Sequence, residues 1–243
     1  MATHVLYDLP SKDRNACWSL NPWKTRLLLN YKGIDYKTEW LEYPDVAPTL
    51  KSFGLPPNDP NASGYFADYT IPTMRIDSNT YVMDSAKIAV ELEKRYPSPS
   101  VYLDSPIVSQ AQQVVTNIQK ALTPNLIPKA PGNLLNERSK EYFERTREVR
   151  FGMPLSQMEK DKGGETPWAA AKQPIQELAD LLKEQGGPFF LGKTVSYADF
   201  ILVAFLHFLK RVDQAVFDRF VAHDPAFSAI YEASQAWLAR DDH

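Results

Sequence analysis

The sequence predicts an α/β unit followed by an all-α unit. Three observations carry this. In roughly the first hundred residues, apolar positions switch between short continuous runs and three-to-four spacing, in the order βαβ and then ββα. Beyond residue 106 there is no convincing strand pattern. Late in the chain, Thr194-Val195-Ser196-Tyr197-Ala198-Asp199 opens a helix that is apolar nearly all round, as expected for the centre of a helical core.

Taken in order, residues 4–9 carry Val5, Leu6, Tyr7 and Leu9 and end at Pro10, which suits a buried first strand. Pro22, Trp23, Leu27, Leu28 and Tyr31 then recur at helical spacing and stop at Gly33, with proline near the start and glycine at the end. Residues 36–43 alternate as a second strand, and 47–53 suit a short helix. The stretch 55–70 carries Pro56, Pro57, Pro60 and Gly64 and reads as a long loop, either a functional rim or an insertion. Residues 71–76 and 81–83 form a hairpin pattern around Asp77-Ser78-Asn79. Residues 85–96 place Ile88, Ala89, Leu92 and Tyr96 on one helical face, with Asp84 as N-cap and Pro97 as the stop.

The Pro- and Ser-rich stretch 98–106 marks the domain boundary, so one domain is expected at 1–97 and a second at 106–243. Helices are expected at 108–122, 136–150, 167–185, 197–212 and 226–239. Ser196 and Asp199 have capping-box spacing, and Val195 with Phe200 the spacing of a hydrophobic staple.

Composition narrows the function classes. With 27 basic and 30 acidic residues, the net charge of −3 leaves no basic stripe for phosphate backbones and no polybasic run for an anionic membrane. Met1-Ala2-Thr3-His4 has no charged lead into an apolar segment, and no run is long enough to span a bilayer, so a cytoplasmic protein is expected. The single cysteine, Cys17, excludes an intrachain disulfide, and the 4 histidines have no ligand spacing, so no metal is expected.

The βαβ unit, Ile71-Pro72 ahead of the hairpin, Asp84-Ser85 opening the next helix and the late capping box together resemble the soluble glutathione transferase superfamily, over nearly the whole chain. Within it, Trp18-Ser19-Leu20-Asn21-Pro22-Trp23-Lys24-Thr25-Arg26 followed by Asn30-Tyr31-Lys32-Gly33-Ile34 resembles the fungal etherase-related FuA class and its bacterial β-etherase relatives. The resemblance implies a thioredoxin-like N-terminal domain, an all-helical C-terminal domain, glutathione as co-substrate, a homodimer and an apolar cleft for small hydrophobic or aromatic acceptors. In that family the motif proline is cis and exposes the preceding backbone to the cysteinyl amide of glutathione, a role that falls to Ile71 and Pro72 by position. Asp84 and Ser85 match the acidic-Ser pair, whose Ser and helix N-terminus hold the γ-glutamyl carboxylate while the acid addresses the ammonium. On the residues alone the pair is equally an N-cap and its neighbour. Lys24 either neutralises a glutathione carboxylate or stays solvated on its helix.

A thiol with a pKa of about 8.5 is a minority thiolate at neutral pH, so an enzyme must stabilise the anion. Counting back from Trp23 as in Ser-type zeta relatives, or from Lys24-Thr25-Arg26 as in Cys-type omega relatives, places the activating position on Ser19 in both cases. Its hydroxyl can donate to the sulfur while the N–H groups of the helix entrance favour negative charge. Asn21, in the Ser-x-Asn pattern of etherase-like members, offers a second donor. Ser19 also reads as a plain N-cap, and Ser11 is a rival nearer the first strand. Cys17 raises a competing chemistry, glutathione thiol transfer through a mixed disulfide. Trp18, Trp23 and Trp40 read as core or as site lining, and Tyr142, Phe143 and Phe151 as candidates to border the acceptor cleft. The expected activity is conjugation or aryl-ether cleavage, with peroxide reduction as a side activity. The alternatives are a non-catalytic carrier of aromatic or phenolic molecules and a Cys17-dependent thiol transferase.

Overall fold

The computed structural model describes residues 4–12, 14–62 and 64–242, so the reading of the N-terminal segment at residues 1–3 lies outside them. The chain runs β1 (His4–Asp8), α1 (Leu20–Lys32), β2 (Tyr36–Trp40), α2 (Tyr43–Ser52), β3 (Thr73–Arg75), β4 (Tyr81–Met83) and α3 (Ser85–Arg95). The four strands form one mixed sheet in the order β2-β1-β3-β4. β1 lies parallel to β2, with Leu6 opposite Thr38, and antiparallel to β3, with Leu6 opposite Met74. β1 is buried throughout because it is central, which explains a continuous apolar run instead of an alternating one. This is the thioredoxin-like βαβ-ββα arrangement.

The hairpin strand is shorter than the sequence pattern because Pro72, at its entrance, has no N–H for the ladder. α2 begins four residues earlier than the pattern of 47–53 because Pro44, in the first turn, needs no hydrogen-bond partner there. Gly33 closes α1 in the left-handed region at φ 65°, a conformation that only glycine takes without strain.

From Pro106 onward the described residues are mostly helical: α4 (Pro106–Leu126), a 3-10 turn (Ile127–Lys129), α5 (Ala130–Leu134), α6 (Glu137–Phe151), α7 (Leu155–Lys162), α8 (Glu165–Lys183), α9 (Tyr197–Val212), α10 (Gln214–Val221), α11 (Pro225–Ala233) and α12 (Gln235–Leu238), with a longer connection at 184–196 that carries the isolated bridges Phe189–Gly192 and Leu191–Thr194. α5, α7 and α10 have 5, 8 and 8 residues, too short for a period of 3.6 to stand out from sequence. The single helix expected at 226–239 is two, broken at Ser234.

α9 is the axis of the helical half. Its capping box forms, with Asp199 accepting the Ser196 N–H at 2.6 Å and the Phe190 N–H at 2.8 Å, and Val195 and Phe200 at the staple positions are both buried. α1 packs across α9, so the helix that follows Ser19 is seated on the core of the second half. One apolar cluster runs from Val5 through Trp23 and Phe200 to Leu238 without interruption.

Candidate functional site

Ser19 is the N-cap residue of α1, at φ −82° and ψ 139°, yet its side chain makes no capping hydrogen bond. The helix entrance is secured by backbone instead, with the Trp23 N–H donating to the Ser19 carbonyl at 3.2 Å. Ser19 lines a cleft of about 570 Å³, whose wall it shares with Asn21 and Ile71. Three of the predicted site residues thus meet on one surface.

The other four are not among the residues that line this cleft. The Ile71-Pro72 peptide is cis. The Pro72 carbonyl accepts the Asp84 N–H at 3.1 Å, which ties the loop before β3 to the start of α3. Asp84 adopts φ 90°, an unfavourable conformation for a residue with a Cβ, and its Oδ1 caps α3 by accepting the Ala86 and Lys87 N–H groups at 2.9 and 3.1 Å. Ser85 is buried beside it. Lys24 is not solvated on its helix: it is 5% exposed and donates to Gln112 Oε1 of α4 at 3.0 Å. Burial holds its ammonium down at about 8, against the pull of the Asp84 carboxylate.

The rivals to Ser19 are committed elsewhere. Ser11 is buried, donating to the Arg14 carbonyl at 2.7 Å and accepting from Arg211 of α9 at 3.0 Å. Cys17 is fully buried, with its thiol pushed well above its ordinary pKa, first by burial and then by the Asp8 carboxylate. A protonated, enclosed thiol is a poor nucleophile, which weighs against thiol transfer. Trp23 is core, giving its N–H to the Cys17 carbonyl at 3.1 Å, and Trp40 lies under the Arg26 guanidinium at 5.1 Å. Trp18 does line the cleft.

The facing wall comes from α2, α4, α6 and the 55–70 loop. Tyr142, Phe143 and Phe151, read from sequence as candidates, all line it. Tyr43 at the start of α2 completes an aromatic surface, stacked on Tyr142 at 6.2 Å and edge-on to Phe143 at 5.5 Å. Burial raises its phenol to about 12, against the opposing charge of Arg147. α2 is held against α6 by the Ser139 hydroxyl bonded to Glu42, by Asn136 Nδ2 donating to Glu42 at 2.7 Å, and by Arg138 on Asp45 at 2.6 Å. The loop is a rim and not an insertion pointing away: Gly64, Phe66 and Tyr69 line the cleft, and Asn58 braces the loop through the Asp68 and Ala67 carbonyls.

Tyr43, Arg147 and Arg150 are among the lining residues that sequence reading missed. Phe143, Arg147, Arg150 and Phe151 fall at i, i+4, i+7 and i+8, so an aromatic-arginine stripe was visible on α6. No group of three or more His, Cys, Asp or Glu side chains that could hold a metal occurs among the described residues.

A thioredoxin-like half whose first helix opens into an aromatic cleft against a helical half is the two-domain architecture of thiol-conjugating transferases. The chain belongs to the glutathione S-transferase family: residues 18–95 match the family's N-terminal domain and residues 110–237 its C-terminal domain. It is 34% identical over 255 residues to the glutathione S-transferase-like protein ustS of Aspergillus flavus, across 96% of this chain and 89% of that one. Among solved structures, the glutathione S-transferase CsGST63524 of Ceriporiopsis subvermispora, in complex with glutathione, shares 31% identity with a TM-score of 0.84 over 97% of both chains. Glutathione transferase GSTFuA3 of Phanerochaete chrysosporium shares 28% identity with a TM-score of 0.80 over 96% of both, which bears out the FuA resemblance.

Proposed function

We propose that the protein is a serine-type glutathione transferase that binds glutathione along Ile71, Pro72, Asp84 and Ser85, stabilises its thiolate with Ser19 and Asn21, and delivers it to a hydrophobic or aromatic electrophile in the cleft. The observation that carries this reading is Ser19, which sits at a helix entrance with a side chain that caps nothing and lines the cleft beside Asn21. The entrance N–H groups and two side-chain donors favour the anion over the thiol. The thiol proton leaves to solvent. Sulfur then attacks the electrophilic carbon: a leaving group departs with its electron pair, for an aryl ether the C–O bond breaks and phenolate leaves, and for an isothiocyanate the C=N π pair moves to nitrogen, which takes a proton from solvent. In this reading the Asp84 carboxylate addresses the γ-glutamyl ammonium, while Lys24 stays buried on Gln112. Complexes of similar proteins with glutathione support the same co-substrate here. The reading also includes a domain division between residues 97 and 106 and a cytoplasmic homodimer, whose assembly light scattering would measure.

The test is conjugation of glutathione to a small aromatic electrophile and to an isothiocyanate by the native chain, Ser19→Ala and Cys17→Ser. Removal of a preorganised donor to a developing anion costs about 10²- to 10³-fold in kcat. That loss is expected for Ser19→Ala alone, with glutathione still bound. Loss on Cys17→Ser alone transfers the chemistry to the thiol, and binding of aromatic ligands without turnover in any form makes the protein a carrier.

A further inference from the structure

Lys120, Arg147 and Arg150 all line the cleft, and no aspartate or glutamate does so among its described lining residues. This local excess of positive charge stands in a chain with a net charge of −3. Arg26, Arg95, Arg138 and Arg219 each have a carboxylate within 2.9 Å. Arg147 and Arg150 have none among the described residues. Arg147 lies over the rings of Phe143 at 4.1 Å and Tyr43 at 5.4 Å, and gives Nη1 to the Thr146 hydroxyl at 3.0 Å. Arg150 lies over Phe66 of the rim loop at 5.3 Å and Phe151 at 5.6 Å.

Aromatic faces hold a guanidinium in place without cancelling its charge, and they leave its edge N–H groups able to fork onto an anion. Arg147 and Arg150 stand three residues apart on α6, neighbours on one helical face, so their two like charges repel each other. An unrelieved pair of like charges in an aromatic cleft is relieved by a ligand that brings the opposite charge.

We propose that the acceptor taken by this cleft is an anionic aromatic compound, its apolar body against Tyr43, Tyr142 and Phe143 and its carboxylate on Arg147 and Arg150. The inference rests on the placement of the acceptor in this cleft and adds the charge of the acceptor to that reading. Glutathione also carries carboxylates, so the test separates the two sources of the anion.

Isothermal titration of the native chain with 2-naphthoate and with the isosteric, uncharged 2-naphthamide reads the preference directly. A charge-assisted bidentate contact predicts that naphthoate binds about tenfold more tightly. In Arg147→Gln/Arg150→Gln the ratio is expected to fall to about one, with naphthamide affinity unchanged. Arg150→Gln alone, at an exposed position on α6, is expected to give an intermediate ratio in a folded protein. Equal affinity of the native chain for the two compounds overturns the proposal, as does a ratio that survives in the double variant. Loss of glutathione affinity in the double variant with the naphthoate preference intact assigns the arginines to glutathione and likewise overturns it. A native chain that prefers naphthoate but conjugates no electrophile loses the transferase reading and keeps this one. A chain active through Ser19 without the preference does the reverse.

Discussion

Tyr197, the first residue of α9, donates its hydroxyl to the carbonyl of Ser85, the first residue of α3, at 3.2 Å. The start of the helical half's central helix is thereby fastened to the proposed seat of the γ-glutamyl group, and the hydroxyl is buried at the contact. Tyr197→Phe removes the donor and leaves the shape. The expected result is a loss of about 1 kcal/mol in urea unfolding, the net worth of an ordinary hydrogen bond. The KM for glutathione rises while kcat at saturation holds, because Ser19 is not displaced.

Lys24 sits buried with its ammonium at about 8, well under its ordinary value. Between pH 8 and about 10.5 the unfolded chain holds this proton and the folded chain does not, so folding becomes more favourable as pH rises through that window. The penalty is full below pH 8. Lys24→Met is therefore expected to be more stable than the native chain at pH 7, by about 1–3 kcal/mol after the lost Gln112 bond is counted. The advantage fades towards pH 10.5 in denaturant titrations at stepped pH. The same variant is expected to bind glutathione more weakly, since the charge beside Asp84 is gone.

His207 of α9 packs edge-on against Trp23 at 4.5 Å and shares a hydrogen bond with the Tyr231 hydroxyl at 2.8 Å, while its Nε2 is buried without a partner. Burial, with Arg211 and Lys210 adding repulsion, lowers its pKa to about 3. As pH falls from about 6.5 the unfolded chain takes up a proton that the folded chain refuses, so stability drops on acidification and is complete above pH 6.5. A loss on the order of 2 kcal/mol between pH 7 and 4.5 is expected from this group. In His207→Gln that part of the acid sensitivity disappears, and the unfolding free energy at the two pH values is the measurement.

Asp8 and Arg26 form an ion pair at 2.8 Å with both side chains fully buried, completed by Arg26 on the Thr38 hydroxyl at 2.8 Å and the Leu9 N–H on Asp8 at 2.7 Å. Removing one partner strands a charge in the core between β1 and α1. Asp8→Asn is expected to cost about 3–5 kcal/mol, whereas Asp8→Asn with Arg26→Met recovers a large part of it. Equilibrium denaturation of the three proteins checks the cycle.

Most of the architecture was legible because it is local chemistry. Pro22 and Gly33 bracket α1, Asp84 caps α3, and Ser196 with Asp199 opens α9, each through contacts within a few residues along the chain. Ser19 and Asn21 were named through the family resemblance, Ser19 by counting back from Trp23 and Lys24 and Asn21 by the Ser-x-Asn pattern. The short helices and the break at Ser234 were not legible, because elements of two turns or fewer take their stability from packing and leave little periodic trace.

The sequence by itself determined the βαβ-ββα order of the first half, the helical character of the second, the family resemblance and the candidates for the thiol site. Only the tertiary structure decided what each polar group is free to do. Whether Ser19 caps its helix or faces a cleft, whether Lys24 is solvated or buried on Gln112, and whether Arg147 meets a carboxylate or an aromatic face depend on neighbours up to a hundred residues away in the chain. Burial and pairing set the charge and reactivity of such groups, and both are properties of packed surfaces that no local pattern encodes.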